Sequence, residues 1–197
     1  MAAPQIVPII LAAGRSARLG FPKPLARFGR RTAVEIAVQN CRFLAPPVVV
    51  LGAEAARVRP AVPRVARVVV NHRWRAGQLA SLLAGLKFVP RRAAFLIYPV
   101  DYPRLDRRLI ERLARAYAAR KPGEGIVMPR SGKRPGHPVI FAPELRPELH
   151  RARTAREVAY RDPARIRFVP VRTTTIWDDF DSPASYRRLA RQWPRPR

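Results

Sequence analysis

The sequence predicts an α/β protein with a mostly parallel sheet that is covered by helices on both faces. Short apolar runs alternate along the chain with segments of helical spacing, and the strand-like runs are apolar throughout. The 197 residues, of which 48% are apolar, are enough for one domain with a substantial core, which we expect to span 1–197. Sheets of this kind bind ligands at the carboxyl ends of their strands.

The predicted elements follow one another in a regular order. Strands are expected where apolar residues run without interruption, at 6–12, 48–51, 65–70, 93–100, 125–128, 138–141 and 166–171. Helices are expected where apolar residues recur at helical spacing, at 32–44, 79–88, 105–120 and 182–192. The last helix has a clear start, with Ser182 as N-cap and Pro183 at the first helical position. Proline-rich stretches at 46–47 and 193–197 indicate a tight connection and a frayed tail instead of domain linkers.

Cysteine content and hydropathy indicate the cellular compartment in which the protein is expected. Cys41 is the only cysteine, so we expect neither an internal disulfide nor a cysteine zinc site, which fits a reducing cytosol. The apolar run at 5–13 is short and lacks a basic leader, which does not suggest a signal peptide. No apolar segment approaches the ~20 residues that cross a bilayer. We therefore expect a cytoplasmic protein with no membrane partner.

The net charge of +26 is the most unusual global feature. Of the 39 basic residues only four are lysines, and the arginines are spread along the whole chain. A basic arm with interleaved aromatic residues, which would stack on bases, is absent from the sequence. The pattern favours a solvated arginine-rich surface over a nucleic-acid interface, and steering of anionic, phosphorylated substrates is a further interpretation.

The loop after the first predicted strand carries the strongest candidates for polyphosphate binding. It reads LAAGRSARLGFPKPL, and Gly14 lets the backbone approach a ligand closely. Backbone amides, Ser16 and the cations of Arg15, Arg18 and Lys23 could meet a polyphosphate there. The spacing is neither that of a Walker loop nor that of the Rossmann fingerprint. An ordinary surface loop is the alternative interpretation.

Few acidic residues are available for a metal site. Asp101 follows the apolar run LIYPV at the end of a predicted strand, where a magnesium ligand would be useful, although it could instead cap the next helix. Asp179 and Asp181 precede the last helix at strand spacing and would point the same way. Either could be a second Mg²⁺ ligand, and Asp181 could instead stabilise the helix N-terminus, so both roles stay open.

Two further segments supply polar candidates. Within 71–86 a polar turn at Gly77 leads into a helix, on which Gln78 and Ser81 could contact a base or ribose while the leucines form core. His137 precedes a predicted strand in PGHPVIF. It is a candidate for binding an acceptor substrate, and the alternative is a packed loop histidine.

Together these segments resemble the molybdenum cofactor cytidylyltransferase-like family of small nucleotidyltransferases. The resemblance runs from Leu11 to about Tyr186 and rests on LAAGRSARLGFPKPL, the block N-x2-W-x2-G-x3-S-L-x2-G-L, PVDYP, GHPVIF and DFDSPASY. The family's acidic positions after the last proline are Ala184 and Ser185 here, so no role is carried over to them.

The resemblance implies a three-layer α/β/α sandwich, Rossmann-like and of glycosyltransferase-A type. It also implies that an acceptor phosphate attacks the α-phosphorus of a nucleoside triphosphate, with Mg²⁺ as cofactor and pyrophosphate as leaving group. Asp101, with Asp179 or Asp181, would hold Mg²⁺, while Arg18 and Lys23 would neutralise phosphate charge. The nucleotide would be lined by Leu11, Ala12, Ala13, Gly14, Arg15, Ser16, Lys23, Gln78 and Ser81.

Donor and acceptor are less well determined. The resemblance implies that the loop passes the base at Ala13, and a methyl there would narrow the space and favour CTP over a purine nucleotide. The acceptor is expected to be a phosphorylated small molecule; molybdopterin is one candidate and a sugar phosphate, an alditol phosphate or a phospholactate-like acid are others. A basic nucleic-acid-binding module or a non-catalytic nucleotide-binding protein is the alternative of another class. The intact Arg18, Lys23 and Asp101 count against the non-catalytic alternative, and nucleic acid is not the expected partner.

Overall fold

An eight-stranded sheet forms the centre of the structure, a computed structural model that describes residues 4–193. The strands are β1 (Ile6–Ala12), β2 (Arg27–Phe28), β3 (Arg31–Thr32), β4 (Val48–Leu51), β5 (Arg67–Val70), β6 (Ala94–Pro99), β7 (Ile126–Ser131), β8 (Arg134–Pro135), β9 (Val139–Phe141) and β10 (Ile166–Pro170). The helices are α1 (Ala33–Cys41), α2 (Ala55–Val58), α3 (Gln78–Leu86), α4 (Arg107–Ala118), α5 (Arg146–Arg151), α6 (Ala155–Tyr160) and α7 (Pro183–Arg191).

The strand order places β1 at the point where the chain changes direction across the sheet. The order is β10-β7-β9-β6-β1-β4-β5, β8 pairs with β7, and β2 and β3 form a separate hairpin. The chain passes from β1 outward to β4 and β5 and then returns to the other side of β1 as β6. All neighbours in the main path are parallel except β9, which is antiparallel to β6 and β7. The loops after β1 and β6 therefore open side by side, which creates a crevice suited to a ligand.

Alternating side chains of the sheet build two cores. Along β1, Ile6 and Ile10 point into the core that is covered by α1, α4 and α7. Val7, Ile9 and Leu11 point into the opposite core, which α3, α5 and α6 cover. Because both faces of the strand are buried, its sequence is apolar without alternation. The predicted three-layer α/β/α arrangement with a mostly parallel sheet is confirmed.

Side-chain caps fix the starts of the long helices. Ser182 caps α7 and accepts a hydrogen bond from the backbone N–H of Ser185, with Pro183 in the first turn as predicted. Asp106 caps α4, since its Oδ1 accepts a hydrogen bond of 2.8 Å from the backbone N–H of Leu109. The capping role therefore belongs to Asp106 instead of Asp101, and the carboxylate of Asp101 is left for other partners.

The short elements are those that the sequence pattern did not predict. The hairpin β2–β3, strand β8 and helices α2, α5 and α6 span two to six residues each, too few for a helical or strand period to be distinguished. The tail expected to fray begins with Trp193, whose ring packs on Phe28 at a centroid distance of 5.1 Å. The rest of that expected tail, 194–197, lies outside the described residues. Within 4–193, none of the helices combines the length and apolar character that crossing a membrane requires.

The cap of α4 can be tested by the substitution Asp106→Ala. Loss of the side-chain acceptor leaves the Leu109 N–H without its partner, and we expect the free energy of unfolding to fall by about 1 kcal/mol. Urea denaturation followed by circular dichroism measures the change. Glu111→Ala on the same helix is the matched control, because it removes only a surface ion pair to Arg107 and should cost at most about 0.5 kcal/mol. Equal effects of the two substitutions would contradict the capping role.

Candidate active site

A cavity of about 430 Å³ opens at the carboxyl ends of β1 and β6. Its walls are the loop after β1, the start of α3, the loop after β6 and the segment before α7. It brings together every residue predicted to line a nucleotide, along with Arg18, Asp101 and Asp181. It also contains residues that were not predicted to line the site, namely Ala17, Pro24, Trp74, Arg75, Gly77, Pro99 and Val100.

The loop after β1 is held in a folded-back shape by Ser16. Ser16 adopts the left-handed backbone conformation (φ 56°), which is uncommon for a residue with a side chain. Its Oγ accepts a hydrogen bond of 2.9 Å from the backbone N–H of Lys23, and its carbonyl accepts one from the N–H of Leu19. The hydroxyl that was expected to face phosphate thus closes the loop and fixes the position of Lys23. Gly14, by contrast, has open space around it and leaves its backbone accessible.

Two cations and two carboxylates form an ion-pair cluster at the base of this cavity. Lys23 Nζ lies 2.8 Å from Asp101 Oδ2 and also bonds to Asp181 Oδ1. Arg18 Nη2 lies 3.0 Å from Asp181 Oδ2. The Lys23 side chain is only 16% exposed, whereas that of Arg18 is 75% exposed. Lys23 is therefore the largely buried cation of the cluster and Arg18 the solvated one, whose ion pair water screens.

The cluster shifts the pKa values of its members. Burial would lower the pKa of Lys23, but the charge and hydrogen bond of Asp101, followed by those of Asp181, outweigh it and raise the pKa. The hydrogen bond from Lys23 lowers the pKa of Asp181, and the charges of Lys23 and Arg18 act in the same direction. The lysine thus stays protonated and Asp181 stays ionised at neutral pH, as a site for phosphate chemistry requires.

The pKa of Asp179 is raised at this site, by burial and in part by the negative charges of neighbouring carboxylates. Burial raises its pKa first, and the neighbouring charges of Asp181 and Asp101 raise it further. Three carboxyl groups are therefore close enough to repel one another, and a divalent cation would relieve that repulsion. No group of three or more acids, histidines or cysteines within 4–193 is arranged as a complete metal site. A Mg²⁺ ion typically takes one or two carboxylates and completes its shell with phosphate oxygens and water, so the residues present fit such an ion.

The acids before α7 do not share one cavity. Residues 178–181 follow a 3₁₀ turn at Thr175–Trp177 and do not form a strand. Phe180 is fully buried against Phe28, and the two flanking aspartates point outward. Asp181 lines the first cavity and Asp179 lines a second one beside it. The two acids thus flank one buried ring and line different cavities, and their expected common direction stays a prediction.

The second cavity has a volume of about 450 Å³ and contains the predicted His137. Its aromatic and cationic lining consists of Tyr102, Arg134, Phe141, Arg156, Tyr160 and Trp177. The guanidinium of Arg134 lies 4.7 Å from the Trp177 ring, and that of Arg156 lies 5.4 Å from the Tyr160 ring. Gln78, exposed at the start of α3, lines both cavities. No sequence spacing could have joined the aromatic and cationic residues, since they come from five separate segments.

His137 and Tyr102 pack together in the wall of the second cavity. Their ring centroids are 4.8 Å apart, and His137 Nδ1 is buried with no hydrogen-bond partner among residues 4–193. Burial lowers the pKa of His137 although Asp101 opposes the change, so the imidazole is neutral at pH 7. Burial, followed by the charges of the three aspartates, raises the pKa of Tyr102, so its hydroxyl keeps its proton. Both side chains can thus form hydrogen bonds with a substrate in the second cavity without adding charge to it.

A buried polar pair supports the start of α3. Asn71 and Ser81 are both buried, and Asn71 Nδ2 donates a hydrogen bond of 3.0 Å to Ser81 Oγ. Asn71 Oδ1 accepts another from the N–H of Arg73, which shapes the turn before Trp74. Ser81 lines the cavity, yet its hydroxyl already serves this pair. Its predicted contact with a base or ribose stays a prediction, and the structure adds a supporting role.

Known proteins share this arrangement of fold and loops. A family model described as the MobA-like NTP transferase domain matches residues 8–165. The chain belongs to the MobA-like NTP transferase family. It is accordingly an enzyme of the nucleotidyltransferase class. Nicotine blue oxidoreductase from Paenarthrobacter nicotinovorans is 34% identical over 160 residues, which cover 74% of this chain and 75% of that protein.

Solved structures of a mycobacterial protein are also similar. The crystal structure of Rv0371c from Mycobacterium tuberculosis H37Rv has a TM-score of 0.82 and 29% identity, and covers 97% of this chain and 100% of the other. A complex of the same protein with manganese has a TM-score of 0.78 and 26% identity, with coverage of 96% and 100%. That protein therefore binds a divalent metal ion within the same fold.

In this MobA-like chain the methyl group of Ala13 contacts protein instead of open space. Ala13 is 5% exposed, and a Cβ atom added to Gly52 would lie 2.8 Å from the Ala13 Cβ and 2.7 Å from the Trp74 Cβ. The methyl thus lies against Gly52 beside Trp74, whose ring carries the Arg75 guanidinium at 4.5 Å. Ala13 therefore lines the first cavity and also packs beside Trp74 at Gly52.

The substitution Gly52→Ala tests this close packing. The added Cβ would lie 2.5 Å from the carbonyl oxygen of Ala13, a backbone atom that moves only with the whole loop. We expect the free energy of unfolding to fall by about 1–3 kcal/mol and nucleotide affinity to weaken. Urea denaturation and calorimetric titration with CTP measure both. Gly125→Ala is the control, since the atoms nearest to its added Cβ belong to the flexible Leu145 side chain, the first at 3.3 Å. Unchanged stability and affinity in Gly52→Ala would show that the loop is not held there.

Proposed function

We propose that the protein is a Mg²⁺-dependent nucleotidyltransferase that transfers CMP from CTP to a phosphorylated small-molecule acceptor and releases pyrophosphate. The observation that carries the proposal is the convergence of Arg18, Lys23, Asp101 and Asp181 beside accessible loop amides in one cavity. Cations and carboxylates in such proximity are what in-line phosphoryl chemistry requires. Residues 1–197 would act as one domain in the cytoplasm.

Each residue of the first cavity has a proposed role that follows from its position. The triphosphate would lie along the loop after β1, where the exposed Gly14 and Arg15 offer an amide and a cation. Lys23 and Arg18 would neutralise charge on the α-phosphate and on the leaving pyrophosphate. Asp101 and Asp181 would hold Mg²⁺, with Asp179 as the alternative second ligand. When bound, the metal supplies further neutralisation of phosphate charge. A phosphate oxyanion as nucleophile needs no general base, so the chain mainly positions the two reactants.

The acceptor would occupy the second cavity. That cavity adjoins the first one at Gln78, so an acceptor there would face the α-phosphate. Arg134 and Arg156 suit an anionic group, and the neutral His137 and Tyr102 suit polar atoms of a ring. The aromatic walls favour a planar acceptor such as molybdopterin over an alditol phosphate, because flat rings stack on aromatic faces.

A redox reaction is the second candidate function. It is favoured by the 34% identity to a protein named as an oxidoreductase. The ion-pair cluster favours nucleotidyl transfer, because charged groups around a polyphosphate loop assist the displacement of pyrophosphate. Incubation with nucleoside triphosphates and acceptors separates the candidates, since only nucleotidyl transfer releases pyrophosphate.

The metal ligand is tested by Asp101→Asn. The amide cannot replace the charge of the carboxylate, so we expect pyrophosphate release from CTP to fall by about 10²-fold or more while the protein stays folded. Asp178→Asn is the matched control from the same acidic segment. Its carboxylate pairs with Arg104 at 3.1 Å and lines neither cavity, so near-normal turnover is expected. Turnover of a folded Asp101→Asn protein at the level of Asp178→Asn would refute the assignment.

The donor base is tested by comparing kcat/KM for CTP and GTP with one accepted acceptor. We expect CTP to be preferred, by roughly 10- to 200-fold at most, because one methyl in a pocket discriminates weakly. Ala13→Gly should reduce the ratio, because loss of the methyl group leaves room beside the base and lets the loop backbone shift. A preference of the unmodified protein for GTP or ATP would show that Ala13 does not set the base.

A further inference from the structure

The ammonium group of Lys23 lies where a cation shared by two carboxylates would bind. Its Nζ contacts Asp101 Oδ2 at 2.8 Å and also Asp181 Oδ1. One carboxylate follows β6 and the other precedes α7, and the lysine joins them. The proposed Mg²⁺ would need the same two oxygens, because one or two carboxylates are its usual protein ligands. Metal and ammonium therefore compete for one place.

Lys23 is held in that place from several sides. Its backbone N–H is bonded to Ser16 Oγ, and Pro22 and Pro24 on either side limit the backbone dihedrals. Its side chain is 16% exposed, and Nζ lies 5.9 Å from the centroid of the buried Phe180 ring. Arg18 also pairs with Asp181, but its exposure means that water screens and replaces this contact readily.

We propose that Lys23 is a resident counter-ion that keeps the divalent metal from binding until a nucleotide arrives. The inference rests on the proposed function, since it assumes that metal and triphosphate share the first cavity. A metal ion that arrives alone must displace an ammonium from two carboxylates and leave it without an anion. A triphosphate brings new anions, which draw Lys23 and Arg18 away from the acids and free Asp101 and Asp181 for the metal.

The consequence is positive coupling between metal and nucleotide. Each ligand strengthens the binding of the other by the same factor, because the coupling free energy is shared. In this scheme the ammonium group of Lys23 has two alternative sets of partners. It neutralises carboxylates in the nucleotide-free protein and phosphates in the loaded one.

Direct measurement of Mn²⁺ binding tests the proposal without an activity assay. Electron paramagnetic resonance of free Mn²⁺ gives its affinity for the unmodified protein and for Lys23→Met, alone and with α,β-methylene CTP, which cannot be cleaved at the reacting bond. With a correction for Mn²⁺ on free analogue, the unmodified protein should bind Mn²⁺ about tenfold or more tightly when the analogue is present. Lys23→Met should bind Mn²⁺ alone about tenfold or more tightly than the unmodified protein does.

Two further variants separate a local effect from a general loss of positive charge. Lys87→Met removes the same charge from an exposed position after α3 and should bind Mn²⁺ like the unmodified protein. Lys23→Met combined with Asp101→Asn should lose the gain in Mn²⁺ affinity. A gain that persists in this double variant, or that also appears in Lys87→Met, would overturn the counter-ion role.

The outcomes also distinguish this inference from the proposed function. Equal Mn²⁺ affinity of the unmodified protein and Lys23→Met, together with tight binding in the presence of the analogue, overturns the counter-ion role and leaves the metal site standing. Absence of Mn²⁺ binding in every variant, even with the analogue, overturns both. The coupling measured in the unmodified protein remains decisive if Lys23→Met does not fold, because a factor near one contradicts the proposal by itself.

Discussion

The position of β1 between β4 and β6 is the constraint on which the rest of the site depends. Parallel pairing sets Leu11 opposite Pro99, and the N–H of Val100 continues the ladder to the carbonyl of Leu11 at 3.1 Å. The chain leaves both strands at the same edge of the sheet, so the loop with Lys23 and the loop with Asp101 have to meet. A ligand crevice at this point follows from the direction of the strands before any side chain is considered.

A buried aromatic cluster completes the site from a distant part of the chain. Phe180 packs edge to face on Phe28 at 5.1 Å, and Tyr186 packs on Phe28 at 5.5 Å. The N–H of Phe180 also bonds to the carbonyl of Asp101 at 3.2 Å, which ties the segment before α7 to the loop after β6. Apolar packing therefore decides where the carboxylate of Asp181 lies, and the ion pairs only use the position that the packing provides. This order of causes is expected, since buried area contributes far more to stability than exposed ion pairs do.

The sequence predicted those parts of the molecule that depend on local pattern. Apolar runs located β1, β4 and β6 to within a residue or two, and the residues at their carboxyl ends were therefore found as well. The pairing of Lys23 with residues 78 and 158 positions away could not be predicted, because no periodicity connects such distances. Of the second cavity, the sequence singled out only Gln78, His137 and Asp179 for the same reason: many of its other walls come from short elements such as α6. That Asp179 and Asp181 line different cavities could not be predicted either, because local spacing does not tell which distant elements face each acid.

The placement of Asp181 after all the strands also bears on how the molecule is made. The last strand, β10, ends at Pro170, whereas Asp181 and the helix that anchors it follow later in the chain. During synthesis the whole sheet can thus leave the ribosome before the acid that completes the ion-pair cluster has emerged. Until that segment docks, Lys23 has Asp101 but not Asp181 as a partner. A nascent chain, or one truncated before α7, would therefore have its sheet without the complete ion-pair cluster. The cluster is complete only after the segment that carries Asp181 has docked.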